Sequence, residues 1–231
     1  MHPVLRHAVL VGALIGLAVI MLQRTAAGGA PLPAQRGFVP FPAALVAQAP
    51  ALPQYADGAT TRVRQQLASV DAMWEKAFLA AGDRYERAEL VDAGAAACRP
   101  DASWAGLYCV ETEQIVIDVP GHLQRNAAVG GGLSDTVLGY IVAHEAGHHV
   151  QVQRGAPTDR SGDSVLRSEL HADCLAGVWG KAAGLPLPPT WMYGSDAEHG
   201  TATQRIQWLN VGYRGARPAD CDAIWDGSTS P

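Results

Sequence analysis

The 231-residue sequence has few charged and few aromatic residues, and it has no run of basic side chains. Charged residues make up 17% of the chain, and the formal net charge is −5. A chain without a basic patch lacks the electrostatic attraction that holds a phosphate backbone, so we expect no nucleic-acid partner. No period of roughly 20–50 residues recurs, which argues against a solenoid or a propeller. Hydrophobic residues account for 48% of the chain, enough for a sizeable core.

Residues 8–22 form an apolar run without a charged side chain, between Arg6 and Arg24. As a helix, the stretch between these two arginines would span roughly 25 Å, slightly less than the ~30 Å of a bilayer core. Residues 1–24 are therefore predicted to be an N-terminal apolar helix retained as a signal anchor, or a cleaved signal peptide. The first alternative gives a single-pass membrane protein, and the second a secreted or periplasmic one.

Residues 25–56 are rich in alanine, proline and glycine and show no hydrophobic periodicity. Proline breaks helices, so we interpret this stretch as an extended linker. The folded domain is expected to cover residues 57–226, followed by a short tail at 227–231.

The four cysteines are an even number, as expected for disulfides in an oxidising compartment. Three pairings are possible. We favour Cys98–Cys109, which are 11 residues apart and flank a predicted turn, together with Cys174–Cys221. The alternative is four reduced, buried thiols.

The order of predicted elements indicates an α+β fold that is mainly helical with a small antiparallel sheet. Apolar residues recur at helical spacing from residue 63 to about 81, and β-branched residues mark a strand at 114–119. The predicted strands are 84–92, 106–110 and 114–119, and the later helices are 134–154, 163–183 and 201–213, with short turns near 188–193 and 220–224.

The sequence His144-Glu145-Ala146-Gly147-His148 carries the strongest chemical signal. On a helix the two histidines are one turn apart, so their imidazoles project from one face and can take two corners of a tetrahedral zinc site. Glu145 is then placed to act on a zinc-activated water as general base.

A catalytic zinc site needs a third protein ligand. Glu169 and Asp173 are four residues apart on the next predicted helix and share a face. If that face packs on the first helix, Glu169 can bind the metal, while Asp173 accepts a hydrogen bond from a ligand histidine. The small Ala172 between them allows close approach. The other candidates that we considered are His149, which points away, and His171, Cys174 and His199.

Several stretches together resemble one known family, the bacterial neutral zinc metallopeptidases. Residues 140–151 are similar to its signature, and similar pieces follow in order at 107–109, 115–118, 169–179, 199–205 and Cys221. The resemblance covers roughly residues 57–226. It implies a gluzincin-like, zincin-like catalytic domain with two histidines and one glutamate as ligands. It also implies a membrane segment at the N-terminus and an extracytoplasmic catalytic domain.

The predicted reaction is peptide-bond hydrolysis with one zinc ion and a peptide or protein substrate. We expect His199 to stabilise the oxyanion, with Arg205 or Tyr193 as weaker candidates, although His199 could simply order the loop before Thr201. Strand 114–119 could bind an extended peptide through its edge. Two other functions are open: a non-catalytic, zinc-stabilised peptide-binding module, and a zinc hydrolase of a non-peptide amide.

Overall fold

The structure is a computed structural model that describes residues 37–50, 58–91, 96, 98, 105–120, 134–157 and 162–225. The predicted N-terminal apolar helix, the linker before residue 37 and the tail lie outside these residues. Among the described helices, none is long and apolar enough to cross a membrane.

The described part of the chain is mainly helical, as the sequence predicts. Five α-helices are described, together with a 3-10 turn at Thr190–Met192 in the predicted turn region. The helices are α1 (Ala59–Ala80), α2 (Asp135–Gln153), α3 (Asp163–Ala182), α4 (Ala202–Gly215) and α5 (Pro218–Asp222).

Three short strands form the sheet: β1 (Glu89–Val91), β2 (Gly106–Cys109) and β3 (Gln114–Ile117), in the order β1-β3-β2. The predicted β2–β3 hairpin is confirmed, with Glu113 in the left-handed region of its turn at φ 53°. The prediction of an antiparallel sheet is confirmed for β2 and β3 but wrong for β1, which pairs with β3 in parallel. The chain between β1 and β3 includes β2, which brings it back so that β3 runs in the direction of β1.

Strand β3 is the central strand and pairs on both sides. The predicted binding of a peptide to its edge is therefore wrong, since its backbone groups are already used by β1 and β2.

Helix α1 buries the predicted apolar stripe. Its members are Val63, Leu67, Val70, Trp74 and Phe78, and each is at most 6% exposed. Helix α2 is buried on nearly all sides, because it packs against α1, α3 and the sheet. Four polar side chains of α2 therefore lie inside the protein and need partners there: His144, Glu145, His149 and Gln151.

Helices α2 and α3 approach closely where Gly147 faces Ala172. A Cβ atom on Gly147 would lie 3.1 Å from the Ala172 Cα atom. Any larger pair would push the helices apart. This contact brings Glu169 and Asp173, which flank Ala172 on α3, next to the histidines of α2.

Residues 37–50, which the sequence assigns to a linker, lie against the helices. The Phe41 ring stacks on Trp74 with ring centroids 5.6 Å apart, and the Arg154 guanidinium lies 4.0 Å above the Phe41 ring. The Phe41 N–H donates a hydrogen bond to the Asp222 carboxylate at 2.8 Å. The aromatic ring of Phe41 buries apolar surface on α1, so the packed domain includes these residues.

Both predicted disulfides are confirmed. Cys98–Cys109 secures the end of β2, and Cys174–Cys221 joins α3 to α5. The second bond fixes the C-terminal segment beside the helix that carries Glu169.

Candidate metal centre

Two histidines of α2 and one glutamate of α3 direct their possible metal-ligand atoms towards one another. The Nε2 atoms of His144 and His148 are 3.2 Å apart. The Glu169 Oε2 atom lies 3.0 Å from the first and 3.2 Å from the second. A tetrahedral ion with ligand bonds of ~2.0–2.1 Å has ligand–ligand distances of roughly 3.3–3.4 Å. The three atoms thus form a triangle of the size that such an ion needs.

The other ring nitrogen of each histidine has an acceptor. His144 Nδ1 donates to Asp173 Oδ1 at 2.9 Å, because a carboxylate only accepts. His148 Nδ1 lies 3.3 Å from Gln151 Oε1. With both protons on Nδ1, the two Nε2 lone pairs point at each other and at a carboxylate. A bound cation relieves that repulsion, so His144, His148 and Glu169 could hold a metal ion.

Asp173 is buried and forms two hydrogen bonds with Arg205, at 2.8 and 3.1 Å. The Arg205 guanidinium also lies 5.0 Å from the centre of the Tyr193 ring. Burial raises the Asp173 pKa, but Arg205 and His144 outweigh it and lower the pKa. Arg205, considered from the sequence as an oxyanion donor, therefore holds Asp173 in place, and Tyr193, the other such candidate, packs against Arg205. The Asp173 carboxylate is buried, and a buried carboxylate needs a cationic partner, which Arg205 supplies.

The carboxylates of Asp173 and Glu169 give the site a strongly negative electrostatic potential. Burial lowers the His144 pKa, but Asp173 and Glu169 outweigh it and raise the pKa to about 10. For Glu169, burial raises the pKa, but His148 and His144 outweigh it and lower the pKa well below its usual value. A proton and a metal ion compete for the same imidazole nitrogens, so the field that favours one also favours the other.

Glu145 lies beside this triangle and against the backbone of β2. Burial raises the Glu145 pKa, and the nearby His144 and His148 lower it only in part. A Cβ atom on Gly106 would lie 2.6 Å from Glu145 Oε1 and 2.8 Å from its Cγ. The glutamate therefore occupies the space that a side chain on Gly106 would fill.

Strand β2 contacts α2 at a second place, one helical turn beyond Glu145. The Tyr108 hydroxyl donates to His149 Nδ1 at 2.9 Å, and His149 Nε2 donates to the Glu86 carbonyl at 2.6 Å. Burial lowers the His149 pKa, as expected for a neutral ring with these partners. His149 points away from the metal ligands, as predicted. Gly106 and Tyr108 share one face of the strand, and Glu145 and His149 share one face of the helix, so the register of β2 against α2 is set at two points.

Residues 7–187 match the family described as "Putative neutral zinc metallopeptidase". The chain belongs to this family. The matched range includes both histidines, Glu145 and Glu169.

Two relatives show how far the likeness extends. The chain is 27% identical over 198 residues to "Uncharacterized protein YpfJ" of Escherichia coli (strain K12), covering 68% of this chain and 69% of the relative. It is 28% identical over 206 residues to "Uncharacterized protein Rv2575" of Mycobacterium tuberculosis, covering 68% and 67%. No solved structure matches.

His199 lies beyond the range matched to the zinc metallopeptidase family but close to its ligands. Its Nε2 atom is 3.4 Å from Glu169 Oε2, and its Nδ1 atom donates to Asp196 Oδ1 at 2.9 Å. The same aspartate oxygen accepts the backbone N–H groups of His199 and Glu198. Burial raises the Asp196 pKa, but these hydrogen bonds outweigh it and lower the pKa. Asp196 is not among the residues predicted from the sequence, although an aspartate before a tight turn is a familiar turn-forming signal.

The other candidates are not brought to the triangle. Cys174 is in a disulfide. His171 is buried, and burial lowers its pKa; its ring contacts Gln151 and Asp222.

Proposed function

We propose that the protein is a zinc-dependent metallopeptidase that hydrolyses peptide bonds. The observation that carries the proposal is the triangle of His144 Nε2, His148 Nε2 and Glu169 Oε2, whose edges are 3.0–3.2 Å. Two imidazoles and one carboxylate are a ligand set of catalytic zinc, which keeps its fourth position open.

The residues around the triangle have suitable roles. Bound zinc would supply a Lewis acid and a water of lowered pKa. The Glu145 carboxylate would take the proton of that water and deliver it to the leaving amine, and its raised pKa suits both transfers. His199, oriented through Nδ1 by Asp196, would face the developing oxyanion with Nε2.

The substrate would bind along β2 rather than β3. In the described sheet β2 has β3 on one side only, and its first residue, Gly106, touches Glu145. An extended peptide that pairs with a strand edge would run past the general base. This favours an unstructured peptide or protein segment over a compact non-peptide amide.

We also propose that the domain works outside the cytoplasm, either held by a single N-terminal membrane segment or released by signal cleavage. The two disulfides support this, since such bonds persist in oxidising compartments.

The test is hydrolysis of casein by the full-length protein. We expect activity in the wild type, retained activity in the surface variant Glu75→Gln, and loss of at least ~100-fold in Glu145→Gln with zinc still bound. Equal activity in wild type and Glu145→Gln would remove Glu145 as the base. A zinc-loaded wild type that cleaves no unstructured protein would point to the peptide-binding module or to a non-peptide amide.

A further inference from the structure

A line of hydrogen bonds, buried except at its His148 end, leads from the proposed metal ligand His148 to the C-terminal helix α5. Gln151 Oε1 lies 3.3 Å from His148 Nδ1, and Gln151 Nε2 lies 3.2 Å from His171 Nδ1. His171 Nε2 lies 3.3 Å from Asp222 Oδ1. Asp222 is 53 residues beyond Glu169 in the sequence, yet only two side chains separate it from a metal ligand.

The geometry fixes the direction of every hydrogen bond in this line. The Asp222 carboxylate only accepts, so His171 donates from Nε2 and its Nδ1 is bare. The Gln151 amide nitrogen faces that bare nitrogen and also donates to the Ser168 carbonyl at 2.7 Å. Its oxygen then faces His148 Nδ1 and accepts there, and the same oxygen also accepts from the Ser168 hydroxyl at 2.6 Å. His148 therefore carries its proton on Nδ1, which leaves Nε2 free for the metal.

We propose that Asp222 is a positioning residue for the metal centre, acting through His171 and Gln151 to keep the His148 proton on Nδ1. The proposal deepens the function proposed above and rests on it, because it assumes that His148 binds zinc through Nε2. Hydrogen-bond partners of ligand histidines set both the tautomer and the orientation of the ring.

Two contacts hold Asp222 where it can do this. The neighbouring Cys221 is joined to Cys174 of α3, and the Phe41 N–H donates to Asp222 Oδ2 at 2.8 Å. Since that N–H claims one oxygen, only Oδ1 is left for His171. The segment 37–50 and α5 thus meet at the far end of the line.

Replacing Asp222 by asparagine reverses one hydrogen bond. The Phe41 N–H still needs an acceptor, so the oxygen of the new asparagine side chain faces Phe41. Its NH2 group then faces His171 Nε2, and two hydrogen-bond donors oppose each other. His171 then moves its proton to Nδ1, where it opposes the Gln151 amide nitrogen. Gln151 then either loses its hydrogen bond to His171 or turns its amide group, so that its oxygen no longer faces His148 Nδ1. We expect zinc to bind about 10–100-fold more weakly.

The experiment measures zinc affinity of the full-length protein by competition with a chelator, with no use of peptidase activity. Asp222→Asn and Gln151→Met should each weaken binding. The double variant should lose no more than Gln151→Met alone, because both changes interrupt one line. The control is Asp220→Asn on the same helix, whose carboxylate pairs with Arg217 at the surface and should leave affinity unchanged.

A second pair of variants keeps the test decisive if Asp222→Asn does not fold. His171→Gln can accept from Gln151 and donate to Asp222, so it should keep near wild-type affinity. His171→Leu can do neither and should weaken binding about 10–100-fold. Nitrogen-15 NMR of the zinc-free protein should show the His148 proton on Nδ1 in the wild type and His171→Gln.

Zinc binding as tight in folded Asp222→Asn or His171→Leu as in the wild type would overturn the proposal, as would additive losses in the double variant. A wild type that binds no zinc would instead contradict the proposed function itself.

Discussion

Gly106 of β2 lies where a single added methyl group would displace the proposed general base. In Gly106→Ala, the new Cβ would lie 2.6 Å from Glu145 Oε1 and 2.8 Å from Cγ, whereas ordinary contacts begin at 3.4 Å. The glutamate would have to move by roughly 0.6–0.8 Å, the difference between these distances. Gly106 is not among the described glycines with positive φ, so alanine fits the backbone.

A displacement of this size should slow proton transfer by Glu145 strongly but should change the stability of the fold little. A general base acts within ~2.6–3.2 Å of its target, and a misplacement of about 1 Å can lower the rate roughly 100-fold. We therefore expect kcat for casein to fall about 30–100-fold in Gly106→Ala. The zinc content should stay at the wild-type level, because the three ligands lie on α2 and α3.

The assay compares kcat, zinc content and thermal unfolding for wild type, Gly106→Ala and the control Gly37→Ala. A Cβ atom on Gly37 meets nothing within 4 Å, so that variant should behave as wild type. Full activity in Gly106→Ala would refute the placement of Glu145 against β2. Loss of zinc together with activity would show that the strand acts on the ligands instead of the base.

Three further outcomes follow from the structure. Glu169→Ala removes one of three ligands and should abolish stoichiometric zinc in elemental analysis; undiminished zinc would identify another third ligand. Burial, partly offset by the Tyr85 hydrogen bond, raises the Asp71 pKa from 3.8 to about 6. Between these two pH values the folded protein binds a proton at Asp71 that the unfolded chain has lost. The free energy of unfolding therefore falls as the pH rises through this range. Urea unfolding should show Asp71→Asn gaining up to about 3 kcal/mol over wild type between pH 4 and 7, and a constant difference would contradict the burial argument. Removing the Cys174–Cys221 bond, which spans 47 residues, should cost about 4 kcal/mol, measured as a loss of stability in the double serine variant.

The local parts of the site could be predicted from the sequence because they depend on helical spacing. His144 and His148 share a face, as do Glu169 and Asp173, and the Gly147–Ala172 pair allows the two helices to meet. The apolar stripe of α1 and the β2–β3 hairpin follow equally from periodicity and turn residues.

The parts that could not be predicted depend on contacts between distant segments. The pairing of β1 with β3 requires the chain to return past β2, which no local pattern encodes. Phe41 looks like a linker residue until Trp74 and Arg154 surround its ring. Asp222 lies far from the ligands in sequence, and only the fold brings it to His171.

The most direct test of the metal centre is anomalous diffraction at the zinc edge from crystals of the zinc-loaded, full-length protein. The proposed ligand set predicts one peak per chain, at ~2.0–2.2 Å from His144 Nε2, His148 Nε2 and a Glu169 carboxylate oxygen. A peak that excludes Glu169, or no peak among these three side chains, would contradict it.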